Sequence, residues 1–185
     1  MTTNKFIKPV TVVGNSINFR NATVSDAEFI FDLRNNPIKN KFLSNSVKTV
    51  NDQALWLHNY YFDQNQIYFI IEDKSNKPCG TIRMYDQISD SFCWGSWIIT
   101  DNTPSKFAIE SMLMIYTFGL SLGFKNSHFD VRKENVSICD LHKKTGAVLV
   151  KSDILNNYYR LNYSQIINLI NKYSKILPNG IQTIY

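Results

Sequence analysis

Two titratable side chains of different type, Asp130 and His142, stand twelve residues apart in the stretch Asn126 to Ala147. A carboxylate takes a proton from a cationic group readily, and an imidazole titrates near neutrality, so the pair has the makings of proton-transfer chemistry. Each also has an ordinary alternative: Asp130 as a solvated strand residue, His142 as a packed helix residue beside Leu141. Asn135 lies between them, where a helix N-cap is expected. Arg34 and Arg83 carry the planar fork that grips phosphate or carboxylate in two-point fashion, and either would serve equally in a surface ion pair. The run Ser105, Lys106, Phe107 and Ala108 offers consecutive backbone N–H groups at a helix start, with one lysine, an arrangement that suits an anion. It also suits a plain helix start. The cysteines Cys79, Cys93 and Cys139 are odd in number and widely spaced, which indicates neither a zinc site nor a disulfide framework.

These residues need a scaffold to hold them. Ser127, Phe129 and Val131 alternate with His128, Asp130 and Arg132, a strand pattern. Ile138 and Leu141 share a helix face after Asn135, and Gly146 is the expected stop. Upstream, Ile17 to Arg20 reads as a first strand. Ser25 and Glu28 form a capping box for a helix that Pro37 ends. Lys39 to Val50 is a polar loop, and Asn51 or Asp52 caps a second helix. Ile67 to Glu72, Cys79 to Tyr85 and Phe92 to Thr100 give an antiparallel meander, with Gly95 marking a bulge or a close backbone approach. Thr103 as N-cap and Pro104 at the first position start a helix that is apolar nearly all round and therefore buried. Val148 to Lys151 and Asn157 to Tyr163 form a final hairpin, and Ser164 caps a last helix reaching Leu177.

The 185 residues, 44% hydrophobic and 19% charged, fit one α+β domain. The net charge of +5 favours acidic ligands but falls short of a nucleic-acid surface, and there is no basic run. The start of the chain carries no secretory leader, and the longest apolar segment is too short to span a bilayer, so a cytoplasmic location away from membranes is expected.

The order of elements resembles that of the GNAT (GCN5-related) N-acetyltransferases over roughly Ile17 to Tyr163. Their late strand carries an apolar–acidic–Val pattern, an Asn four residues after the Val, then a Tyr and a Gly. Asp130, Val131, Asn135 and Gly146 match it; His142 stands in place of the Tyr. The resemblance implies a mixed, mostly antiparallel twisted sheet flanked by helices, with an extra C-terminal helix, and acetyl-CoA as donor. It implies Asp130 as base and His142 as acid, spaced as the acidic residue and Tyr are in ribosomal-protein alanine acetyltransferases. It implies a thioester held by the strand at Trp97, Ile98 and Ile99, and Asn135 on the pantetheine arm. The CoA pyrophosphate falls at Ser105 to Ala108, although the family's Gly-rich turn is missing. Acceptor binding falls to Arg34 and Asn35 beside the loop, and to Arg83 and Trp94 on the meander. Short segments, LRN at Leu33, GSWII at Gly95 and HFDVRKEN at His128, are similar to a branch that acetylates nucleotide-linked amino-dideoxy sugars for surface polysaccharide. A protein N-terminal acetyltransferase, a polyamine acetyltransferase and a binding subunit without catalysis are the other readings. The loop Asn36 to Asn51 holds no Asp or Glu, which speaks against polyamines. No metal is implied, and a homodimer is left open.

Overall fold

The computed structural model describes residues 5–37, 39–42 and 47–185, and of Asn40 the backbone only. The elements run β1 (Thr11–Val13), β2 (Ile17–Asn21), α1 (Ala27–Asn35), α2 (Val50–Phe62), β3 (Ile67–Asp73), β4 (Pro78–Ile88) and β5 (Ser91–Ile99). They continue with α3 (Lys106–Ser121), β6 (Asn126–Arg132), α4 (Val136–Lys144), β7 (Val148–Ser152), β8 (Asn156–Leu161), α5 (Tyr163–Lys172) and β9 (Gln182–Ile184). One sheet of nine strands has the order β7-β8-β6-β5-β4-β3-β2-β1-β9. Every pairing is antiparallel except β5 with β6.

Helices cover both faces. Directly opposed residues on neighbouring strands share a face, so Tyr68, Arg83 and Gly95 project to one side. That side carries α1 and α2, whose core joins Ile30, Leu57 and Tyr60 to Tyr68 and Ile70. The other side carries α3, buried against Phe69, Phe92 and Trp94. Gly119 lets α3 come this close: a Cβ there would stand 2.4 Å from the Phe92 ring. The one acid of the helix, Glu110, is fully buried and accepts from the backbone N–H groups of Ser16 (2.6 Å) and Ile17 (3.2 Å), tying the β1–β2 turn to α3.

Several starts and ends differ from expectation. The capping box before α1 belongs to Thr23 and Asp26, not Ser25 and Glu28, because a 3-10 turn (Val24–Asp26) precedes the helix. Thr49 caps α2, and Asp52 is its third helical residue, closing the box back to Thr49 N–H. Helix α3 begins at Lys106, two residues late, since the Thr103 hydroxyl pairs with Thr100 Oγ1 (2.8 Å) instead of capping. Asn162 caps α5 and the helix ends at Lys172. Strands β1 and β9 are additions; they pair with each other and widen the sheet. The loop between α1 and α2 contains a 3-10 turn (Asn40–Phe42); its residues 38 and 43–46 lie outside the described residues. Among the described residues no helix is long and apolar enough to cross a membrane.

Candidate active site

The site arises from a fork in the sheet. β5 and β6 pair only through Ser91–Asn126, Phe92–Ser127 and Cys93–His128. The closed end is pinned by Ser127 Oγ donating to the Phe92 carbonyl (3.0 Å) and Lys125 N–H donating to the Asp90 carbonyl (2.8 Å). Beyond Cys93 the strands part, and β5 from Trp94 onward has no strand on its β6 side. A bulge drives the parting: Ser96 and Trp97 together oppose Ile82, and Ser96 takes a positive φ of 47°. The bulge adjoins Gly95, the residue whose type marked it in the sequence. The consequence is an open cleft of about 270 Å³.

Strand alternation gives the cleft two walls. On the α1/α2 side stand Arg83, Tyr85, Asp130 and Arg132, with Arg34 reaching in from the end of α1. Asp130 is exposed. Arg83 lies over the Tyr85 ring (4.4 Å) and donates to Gln66 Oε1 (3.2 Å). Burial raises the Tyr85 phenol well above its usual range, so it stays protonated at neutral pH. Arg34 donates a long bond to Ser96 Oγ (3.4 Å). On the α3 side stand Trp94, Phe129 and His142, packed ring to ring: Phe129–His142 centroids are 4.1 Å apart and Trp94–His142 5.6 Å.

His142 departs from the charged acid expected. It is 4% exposed among aromatic rings, and burial lowers its pKa to about 4. Its Nδ1 has no hydrogen-bond partner. At pH 7 the ring is neutral: it can offer one hydrogen bond, but it holds no second proton to give away. Asp130 and His142 therefore border one cleft from opposite faces of β6.

The other expected residues divide. Asn135 occupies the N-cap position of α4 and lines the cleft, yet its side chain makes no cap bond; its oxygen accepts from Ser137 Oγ (3.2 Å), and its amide NH2 makes no hydrogen bond among the described residues. Trp97 is tied to α3 through Nε1 and Ser111 Oγ (2.9 Å). Ile98 is buried, and the Ile99 carbonyl accepts from Lys39 Nζ, which also pairs with Asp101 at 2.9 Å. This lysine fastens the α1–α2 loop to the end of β5. At the α3 start, Phe107 is buried and its N–H donates to the Pro104 carbonyl (2.9 Å), which leaves Ser105, Lys106 and Ala108 at the helix mouth. The missing Gly-rich turn is replaced in part by Asn102, which adopts a positive φ of 61°, a conformation Asn tolerates better than most residues. Trp94 is core, 4% exposed, and floors the cleft rather than standing out as a platform. Asn35 does not join: its side chain donates back to the Phe31 carbonyl (2.8 Å). Tyr85 and Arg132 line the cleft unforeseen, although each sits two residues from a residue singled out in the sequence, Arg83 and Asp130, and so on the same strand face.

The family model for the acetyltransferase (GNAT) domain matches residues 16–148. Among solved structures, apo FdhC, a nucleotide-linked sugar GNAT, is 36% identical, with 90% of this chain and 98% of that chain covered and a TM-score of 0.81. The spermidine N-acetyltransferase from Vibrio cholerae, in complex with CoA and spermine, is 16% identical, with 83% and 99% covered and a TM-score of 0.74. A probable GNAT acetyltransferase from Chromobacterium violaceum is 9% identical, with 89% and 92% covered and a TM-score of 0.75. No curated protein sequence matches the chain significantly.

Proposed function

Because the chain belongs to the GNAT acetyltransferase family, we propose that it transfers the acetyl group of acetyl-CoA to the amine of a nucleotide-linked amino-dideoxy sugar, a building block of surface polysaccharide. The observation that carries this reading is the charge of the acceptor wall: Arg34, Arg83 and Arg132 face the cleft with Asp130 as the one carboxylate lining it among the described residues. A diphosphate suits three guanidiniums. A polyamine, itself a polycation, would meet them with Asp130 alone to compensate. Likeness to a sugar-nucleotide enzyme at 36% identity supports the same choice, while the polyamine enzymes at 16% share the fold alone.

The residues present fit acetyl-CoA. β5 has no β6 partner at 97–99, although Lys39 holds the Ile99 carbonyl, the Asn135 amide NH2 is available, and the mouth of α3 offers backbone donors beside Lys106. Bound acetyl-CoA supplies an activated acyl group. Asp130 takes the proton from the acceptor ammonium, directly or through water, and so frees the nitrogen lone pair. The open β5 backbone meets developing negative charge with fixed dipoles. His142 stays neutral and dry; the proton that the attacking nitrogen loses as the amide forms would pass to the departing thiolate, which leaves as the thiol, and Tyr85, kept protonated, faces the acceptor side. Thiol release from acetyl-CoA, measured with single acceptors, tests the proposal. Nucleotide-linked amino sugars should react, and spermidine and amino-terminal peptides should not. Turnover of spermidine or peptides above the sugar nucleotides would overturn it.

A further inference from the structure

A second cavity of about 260 Å³ adjoins the cleft, and Arg34, Arg83 and Ser96 form the wall common to both. It lies under α2, and Gln53, Trp56 and Tyr68 line its far side. Gln53 is 3% exposed and presents its carboxamide to the recess. The Tyr68 hydroxyl and Arg83 Nε are buried without a partner among the described residues. Buried polar groups ordinarily find partners, because each unsatisfied one carries its full desolvation penalty. Two around one cavity, beside a buried carboxamide, point to a ligand that satisfies them.

Their chemistry says what kind. The amide and the phenol are neutral and offer donor and acceptor together. Arg83 stacks on Tyr85 (4.4 Å), lies over Trp56 (5.8 Å) and donates to Gln66, so its charge sits in the wall between the two cavities rather than at the far side of the recess. The remaining walls are aromatic: Trp56 stacks on Tyr60 at 5.7 Å and meets the Tyr68 edge at 5.7 Å. Flat aromatic walls with a neutral donor–acceptor edge suit an uncharged heteroaromatic ring better than a phosphate or a second cation. Starting from Asp130, the order along the two cavities is carboxylate, arginine wall, then this recess.

We infer that the recess beneath α2 seats the nucleobase of the acceptor, read by the Gln53 carboxamide and the Tyr68 hydroxyl, while its diphosphate crosses the wall formed by Arg34 and Arg83. This rests on the nucleotide-linked acceptor proposed above and adds where, and by which groups, its base is recognised.

Calorimetry tests it on the whole protein saturated with CoA, which closes the cofactor's own nucleotide site to the probes. The probes are nucleoside diphosphates carrying each of the five common bases, and inorganic pyrophosphate. At least one nucleoside diphosphate should bind tenfold or more tightly than pyrophosphate. Gln53→Leu and Tyr68→Phe, which remove polar groups while keeping shape, should each shrink that preference at least fivefold and leave pyrophosphate affinity unchanged. Retained CoA binding and circular dichroism show that the variants are folded. If nucleoside diphosphates bind no better than pyrophosphate, or both variants keep the full preference, the inference falls and the acceptor proposal stands. If neither pyrophosphate nor any nucleoside diphosphate binds the wild type, the diphosphate-linked acceptor itself falls.

Discussion

The two faces of β6 treat the same cleft in opposite ways. On one, Asp130 and Arg132 stand among charged and polar groups from α1 and β4 and are open to solvent in whole or in part. On the other, Phe129 and Val131 are buried and hold His142 in a ring of aromatic side chains. The period of two along a strand is all that separates them. The proposed acceptor, charged and bulky, suits the wet face, where guanidiniums can be reached. The dry face gains packing and a low local dielectric, and one consequence is that a histidine there gives up its proton.

The largest expected effect breaks the wet face. Asp130→Asn keeps size and hydrogen bonding but removes the base; kcat with the best amino-sugar nucleotide should fall on the order of 10²-fold or more. Calorimetric affinity for acetyl-CoA should not change. An undiminished kcat would move the base elsewhere.

The dry face is tested by stability. With the folded pKa of His142 lowered to about 4 from an ordinary 6.5, the unfolded chain takes up a proton first as pH falls. Stability is therefore full above pH 6.5 and is lost progressively down to about pH 4. The loss from this one group is about 3 kcal/mol, at about 1.4 kcal/mol per pH unit of separation. Urea denaturation across that window should show the slope in the wild type and a flatter profile in His142→Phe. Identical slopes would mean that His142 is charged in the fold.

The smallest effect concerns the mouth of α3. Lys106 is exposed, so Lys106→Ala should weaken acetyl-CoA binding by roughly fivefold, the scale of one solvent-screened phosphate contact. A hundredfold loss would show that this lysine is far more enclosed in the bound state than the helix mouth suggests.

The legible parts of this molecule were those written in local pattern. The strand–turn–helix from Asn126 to Gly146 follows from alternation, an Asn at the cap position and a terminal Gly, and β6 and α4 appear there almost residue for residue. The three-strand meander and the buried α3 were legible for the same reason. Helix starts were not, because Thr23, Ser25 and Asp26 all make acceptable caps and tertiary packing chooses among them. β1 and β9 are three residues each, and β9 is a strand because it meets β1, itself paired with β2, across the chain. At the site, strand parity made the face of Asp130, opposite Phe129 and Val131, readable, whereas the neutrality of His142 depends on Trp94, Phe129 and Tyr159, brought together by three separate elements. Asn35 misled because nothing local distinguishes a carboxamide aimed at a ligand from one folded back on its own helix.

The central claim is that the arginine wall selects an acceptor by its diphosphate, and its most direct measurement is a ratio. The kcat/KM for a nucleotide-linked amino sugar is divided by that for the same sugar without its nucleotide, in the wild type and in Arg83→Ala. The ratio should be large in the wild type and fall at least tenfold in the variant, with turnover of the free sugar little changed, since one charge-assisted contact to phosphate is lost. A ratio near one in the wild type, or one that Arg83→Ala leaves untouched, would contradict the account.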